Sequence, residues 1–252
     1  MTNKHLELCI HHHQGLGDHF DMNGMVRNYL KDYNKVHVFA KSNYYGMIEH
    51  MYRDQDAIKV IKIPKNANEV EFAENYYREN KDCTKFLRIG FENYPFHEEH
   101  LYNKNCWEFF YEQVNVPYNI HTDMFYVQRD PEEENKLMKE LNPNNKKYIF
   151  IHEDKERGFE LNRNHFLDKT LLTIGNDNTK NIFHFIKIIE NAQEIHCMES
   201  SFKSLIDVYA TTDNIFHHDL RKDHNGNGHP IGTRNNKKWK VVEYKEGVRN
   251  DY

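Results

Sequence analysis

The segment His11-His12-His13-Gln14-Gly15-Leu16-Gly17-Asp18-His19 gathers residue types that move protons and hold ligands. Gly15 and Gly17 let a backbone turn tightly and approach a ligand closely, and a helix after them offers free N–H groups and the positive end of its dipole. Asp18 and His19 are candidates for a general base and its orienting partner. Asp18 reads equally well as a cap on the following helix. His11 and His13 share a face if a strand runs that far, but a histidine metal site needs a third ligand and an ordering shell, and the spacing identifies neither. Two glycines fall short of the dinucleotide fingerprint, and the GxxxxGK[ST] pattern is absent.

Three later segments offer complementary chemistry. In Ile149 to Phe159 a hydrophobic strand leads through His152 into a polar loop. There Lys155 supplies a point charge, Arg157 a bidentate fork and Gly158 a turn, a set suited to an anionic group. The same residues also describe a solvated charged turn. In Glu194 to Phe202, Ser200 and Ser201 fall at a helix start, where they can cap the helix or hold a pyrophosphate, and Glu199 is placed for ribose hydroxyls. In Phe216 to Arg221, Arg221 could reach a phosphate, while His217 also fits a core position.

These segments need strands to deliver them. Short β-rich runs at Leu6 to His11, Val36 to Ala40, Ile58 to Ile63 and Lys85 to Ile89 alternate with helical patterns at Asn23 to Lys31, Tyr44 to Met51 and Glu69 to Asn80. After an aromatic helix at Cys106 to Gln113, residues Val116 to Val127 read as an irregular connection. Asp130 as N-cap and Pro131 at the first helical position then start a helix to Leu141. A second series follows: strand Tyr148 to His152, strand Leu171 to Ile174, helix Ile182 to Asn191, strand Glu194 to Met198, helix Ser201 to Tyr209 and strand Asn214 to His217. Asp223 to Arg234 reads as a loop, and Trp239 to Tyr244 as a final strand that could cross back to the first lobe. Such alternation predicts an α/β fold of two Rossmann-like lobes with mainly parallel sheets, residues 1–120 and 121–252. All four signals lie at strand ends, so a cleft between lobes is the economical expectation.

Composition narrows the function classes. Among 252 residues, 34 Lys+Arg face 39 Asp+Glu, a formal charge of −5, which gives no basic field for nucleic acid. Mean hydropathy is −0.94, yet 13% aromatics imply a packed core. No uninterrupted apolar run is long enough for a transmembrane helix. Met1 to His5 carries neither a charged lead nor a cleavage site, so no secretory signal is expected. Cys9, Cys83, Cys106 and Cys197 form no CxxC pair, which removes the standard zinc and redox spacings and points to a reducing, cytoplasmic setting. Of the 18 histidines, His11, His13, His19, His152 and His217 fall at strand ends and are expected to face the cleft.

The order of residues 15–19 (GLGDH), 23–27 (NGMVR), 110–118 (FYEQVNVPY), 129–130 (RD), 150–159 (FIHEDKERGF), 194–202 (EIHCMESSF) and 216–221 (FHHDLR) resembles a family of GT-B-type glycosyltransferases. That family is heptosyltransferase-like, with bacterial and large-virus members. The resemblance implies a first lobe for the acceptor, a second for a nucleotide-diphosphate sugar, and transfer to a hydroxyl of a glycan or glycoconjugate with no metal and no cofactor beyond that co-substrate. Asp18, or His19 beside it, would be the base. Gly15 and Gly17 would shape its loop, and His152, Lys155, Arg157, Gly158, Glu199, Ser200, Ser201 and Arg221 would hold the donor. A non-catalytic binder of nucleotide sugars or glycans keeps the same donor signals, and a histidine-dependent metalloprotein remains the other alternative. The sequence leaves the oligomeric state open.

Overall fold

The computed structural model describes residues 6–90, 106–221 and 237–248. The chain divides into two compact units, Met1–Gln128 and Arg129–Tyr252.

The first unit runs β1 (Glu7–His11), α1 (Leu16–Asn28), β2 (Lys35–Lys41), α2 (Tyr45–Tyr52), β3 (Ile58–Ile63), α3 (Glu69–Glu79), β4 (Cys83–Arg88), α4 (Cys106–Gln113) and α5 (Ile120–Asp123). Its four strands are parallel, in the order β3-β2-β1-β4. Cys9, Phe39, Ile61, Ile63 and Cys83 build a core on one face of the sheet, closed by Ala73, Phe72 and Tyr76 of α3. Asn68 starts α3 by accepting the N–H groups of Val70 and Glu71 at 3.0 and 3.2 Å, the standard answer to the free donors at a helix start.

The second unit runs α6 (Pro131–Leu141), β5 (Tyr148–His152), β6 (Leu172–Gly175), α7 (Ile186–Asn191), β7 (Glu194–Met198), α8 (Ser201–Tyr209), β8 (Ile215–Arg221) and β9 (Lys240–Val248). All five strands are parallel, in the order β6-β5-β7-β8-β9. Every residue of β5 and β7 is buried, as strands covered on both faces by helices must be. Asp130 caps α6 through the Glu133 N–H at 3.2 Å with Pro131 at the first position.

Three sequence expectations are corrected. Helix α1 begins at Leu16 rather than Asn23, so Gly17, Asp18 and His19 sit in its first turn and not in a loop. The final strand does not return to the first unit: β9 pairs in parallel with β8, Phe216 opposite Lys240. The connection at 116–127 contains a helical turn, α5, which lies against α1. The units divide at Gln128/Arg129, within the connection expected between the lobes, and that connection is bound to α1: His121 Nε2 lies 2.8 Å from Asp21 Oδ1, and the Tyr126 N–H donates to Asn23 Oδ1 at 3.0 Å. The expected loop at Asp223 to Arg234 lies outside the described residues.

Helix α1 is also held by Tyr111 of α4. Its buried hydroxyl donates to the Asp21 carbonyl at 2.8 Å and accepts the Met25 N–H at 3.2 Å, bridging one step of the helical ladder. Within the same turn, α5 approaches so closely that a Cβ on Gly24 would meet the Ile120 carbonyl oxygen at 2.3 Å. Gly24→Ala should therefore lower unfolding stability by about 1–3 kcal/mol, the range for an overpacked core. Tyr111→Phe should cost about 1–3 kcal/mol through the groups it leaves unmet. Urea denaturation measures both; an unchanged midpoint in either variant would show that this contact does not hold α1.

Candidate functional site

In parallel α/β sheets, ligands meet the carboxyl ends of strands where the strand order reverses. The reversal falls between β1 and β4 in the first unit and between β5 and β7 in the second.

In the first unit, His13 Nε2 lies 2.8 Å from the Gly90 carbonyl oxygen, joining the segments that follow β1 and β4. The Gly90 N–H donates to Gln113 Oε1 of α4 at 2.8 Å. Gly90 has φ of 87° and a Cβ there would press on the Phe110 ring at 2.8 Å, so only glycine fits. Sequence reading missed Gly90 and Gln113, although a glycine directly after an apolar strand was the available signal.

Asp18 occupies the third position of α1 and accepts the N–H of Gly15, the N-cap, at 3.1 Å, the return half of a capping box. Gly15 permits that approach: a Cβ would lie 2.6 Å from Asp18 Oδ2. Asp18 nevertheless keeps some exposure. Burial pushes its carboxyl above the usual range; His13 pulls it down, Asp21 pushes it further up, and the Trp107 indole and Gly15 N–H pull down. A carboxylate with a raised pKa is a better proton acceptor.

His19 lies one residue on, about 100° around the helix, and points inward. It is fully buried, edge-on to His12 at 4.5 Å, and its ring nitrogens have no hydrogen-bond partner. Burial, then His12, holds its pKa well below the ordinary value. It is a neutral core ring, which corrects its expected place beside Asp18. His11, His152 and His217 are buried as well, and of the five histidines singled out at strand ends His13 alone keeps partial exposure.

In the second unit, β5 ends at His152, stacked on Phe202 at 4.5 Å. Glu153 follows, gripped by Arg163 at 2.9 and 2.6 Å and by the Leu161 N–H at 3.0 Å. Asp154 caps the single turn Lys155–Arg157, and Gly158 closes it with φ of 81°. The two cations expected to await an anion are already paired: Lys155 lies 3.2 Å from Glu153 and 3.3 Å from Glu160, and Arg157 lies 2.6 Å from Asp154. Both remain exposed at the surface, where such pairs hold only about 0–1 kcal/mol and exchange readily.

At the end of β7, Ser200 accepts the Phe202 N–H at 3.2 Å and caps α8, whose first residue is Ser201. Glu199 is half-buried, and its buried Oε2 has no hydrogen-bond partner. Sequence reading passed over Lys203 in the first turn of α8. Its ammonium is buried 3.7 Å from Asp207 and over the Trp239 ring, and Trp239 Nε1 donates to Asp207 at 2.6 Å. The i,i+4 spacing of Lys203 and Asp207 was its signal. Arg221 ends β8, but its side chain lies outside the described ones. A depression lined by Arg27, Lys31, Gln55 and Tyr126 sits at the opposite end of α1 from Asp18 and shares none of this chemistry.

No protein-family model and no curated protein matches the sequence. Solved structures do match its fold. A family 9 glycosyl transferase from Veillonella parvula DSM 2008 superposes with a TM-score of 0.54 at 8% identity, over 95% of this chain and 86% of that one. E. coli ADP-heptose lipopolysaccharide heptosyltransferase II gives 0.51 at 9% identity, over 94% and 89%. TibC, the iron-containing dodecameric glycosyltransferase of enterotoxigenic E. coli H10407, gives 0.51 at 9% identity, over 98% of this chain and 64% of that one. The chain thus shares with these glycosyltransferases an α/β fold of two Rossmann-like units, each with a parallel sheet. Among the described residues, no helix is long and apolar enough to cross a membrane.

The buried imidazoles set a pH dependence. Burial lowers His11 and His152 to about 4 and His12, His196 and His218 to about 3, from 6.5. Below pH 6.5 the unfolded chain binds protons that the folded rings refuse, so stability is fully present above that pH and falls on acidification towards 4. Glu7 and Glu153, both lowered from 4.5, add a further loss at the acid end. Asp18, raised, opposes the trend with a single carboxyl. Urea midpoints should drop steadily from pH 7 to pH 4; a flat profile would mean that these rings are not held neutral by the fold.

Proposed function

We propose that the protein is a glycosyltransferase that moves a sugar from a nucleotide-diphosphate sugar to an acceptor hydroxyl on a glycan or glycoconjugate. The observation that carries this reading is Glu199: a carboxylate with a buried, unpartnered oxygen, set directly before the N-terminus of α8 at the second unit's strand reversal. A ribose hydroxyl donating to Glu199 Oε2 meets that oxygen's need. The Ser201 N–H and the positive end of the α8 dipole suit the diphosphate, aided by the Ser200 hydroxyl. Likeness to two glycosyltransferases over nearly the whole chain supports the same reading.

In this reading the first unit serves the acceptor. Asp18 takes the proton of the acceptor hydroxyl as its oxygen attacks the anomeric carbon, and the diphosphate leaves with the electron pair of the broken C–O bond. His13 and Gln113 fix the backbone beside Asp18 through Gly90. Lys155 and Arg157 exchange their carboxylate partners for phosphate oxygens, and Arg221 is assigned to the same group; His152 and Gly158 shape the loop that carries them. The transfer step is assigned to these groups without a metal ion, as fixed electrostatics around the departing charge.

A thermal-shift series with UDP, GDP, ADP, CMP and dTDP identifies the donor class, since a ligand of the native state raises the melting point. With the matching sugar nucleotide, Asp18→Asn should reduce transfer by about 10²–10⁴-fold, the range for a general base, with donor affinity intact. Glu199→Gln should weaken donor binding by roughly 10–100-fold, as expected for a charge-assisted hydrogen bond. Donor binding with neither transfer nor hydrolysis would instead identify a non-catalytic nucleotide-sugar binder. No shift with any of the five nucleotides would remove the reading altogether.

A further inference from the structure

The register of the first sheet brings together three donors that lie far apart in sequence. Cys9 on β1 stands opposite His37 on β2, and Glu7, on the same face as Cys9, stands opposite Cys83 on β4. Two thiols and an imidazole therefore share the face covered by α3. All three residues are buried, and one ligand atom from each lies within 4.8 Å of the others. We propose that Cys9, His37 and Cys83 bind one thiophilic divalent ion of the zinc class, tying β1, β2 and β4 together.

Three features carry the assignment. The first is the donor set: two sulfurs and an imidazole nitrogen select zinc-like ions over calcium or magnesium, which need oxygen cages. The second is the orientation of His37. Its Nε2 is held by Glu7 Oε2 at 2.7 Å, so its Nδ1 lone pair faces inward, where it meets the Tyr76 hydroxyl at 2.8 Å. Glu7 is itself steadied by Lys35 at 3.4 Å. A carboxylate on the outer nitrogen is how metal-binding histidines are fixed in tautomer and direction. The third is the crowding of the two free thiols, whose sulfurs are 2.8 Å apart. An ion with bonds of about 2.3 Å to sulfur and about 2.0–2.1 Å to nitrogen would space the sulfurs at roughly 3.8 Å in a tetrahedron.

The balance of charge also closes. Binding releases the two thiol protons to solvent, and two thiolates neutralise the dication inside the apolar core made by Phe39, Ile61, Ile63 and Phe72. Tyr76 gives up its bond to His37 and lies beside the fourth position, which its oxygen or a water completes. The site lies towards the amino-terminal ends of β1 and β4, away from the carboxyl-end residues assigned to transfer, and it does not depend on that assignment.

The test uses the full-length, untagged protein, purified under reducing conditions without chelator. Elemental analysis should find about one zinc per chain, and removal by chelator should lower the melting point by several degrees, restored by added zinc. Cobalt(II) put in its place should show thiolate charge-transfer absorption together with strong tetrahedral visible bands. Zinc should protect two thiols from a thiol reagent in the wild type, a readout that needs no variant to fold. Cys83→Ser and His37→Gln should lose at least tenfold in zinc affinity, while Cys197→Ser should not. A chain that takes up no zinc after reconstitution, a cobalt form without charge-transfer bands, or a mass showing a Cys9–Cys83 disulfide in the reduced preparation would each overturn the proposal.

Discussion

The hydroxyl of Tyr111, bonded to both sides of one step in α1, is the interaction on which the first unit's site depends. It fixes the helix that carries Asp18 to a residue 90 positions further along the chain. The same helix is clamped by Asp21 to His121 and by Asn23 to the Tyr126 N–H. Gly24 lets α5 come close enough for these bonds to form. A short helix in isolation is marginal in water; this one is held because it is buried on nearly every side, from His19 to Arg27 without a break.

The histidines have a comparable structural use. Nine of the 18 are buried among the described residues. In the second unit they form a chain: Glu194 to His196 Nε2 at 2.5 Å, His196 Nδ1 to His218 at 2.7 Å, and His218 to the Tyr244 hydroxyl at 2.7 Å. That chain runs from β7 through β8 to β9. Since buried polar groups are costly unless paired, a slip of any of these strands by one residue would orphan several at once. The imidazoles therefore specify strand register, at the expense of stability in acid.

What was legible in the sequence follows from this. Elements with local signals were read to the residue: α6 from Asp130 and Pro131, α8 from Ser200, β5 and β7 from short apolar runs. Helix α1 was read late because a helix buried all round has no polar face, and so no helical period to detect. The partner of β9 was not legible because strand pairing is a non-local choice. The pairing of Lys155 and Arg157 was written in the alternating charges Glu153 to Arg157, but only the Gly158 turn folds those charges onto one another. Cys9, His37 and Cys83 show no motif, since parallel register rather than sequence spacing assembles them.

The chemistry assigned to Asp18 is a consequence of the same clamp. A carboxylate capping an exposed helix has its pKa lowered by the N–H it accepts. Here burial outweighs that bond, because α1 is drawn into the unit by Tyr111, His121 and the connection at 120–126, and Asp21, one turn on, adds a neighbouring negative charge. Asp21 is therefore both an anchor of the helix and a source of the proton affinity of Asp18. Position and basicity are not separable in this unit: loosening α1 would hydrate Asp18, return its carboxyl towards the ordinary range, and move it away from its place beside His13 in the same movement.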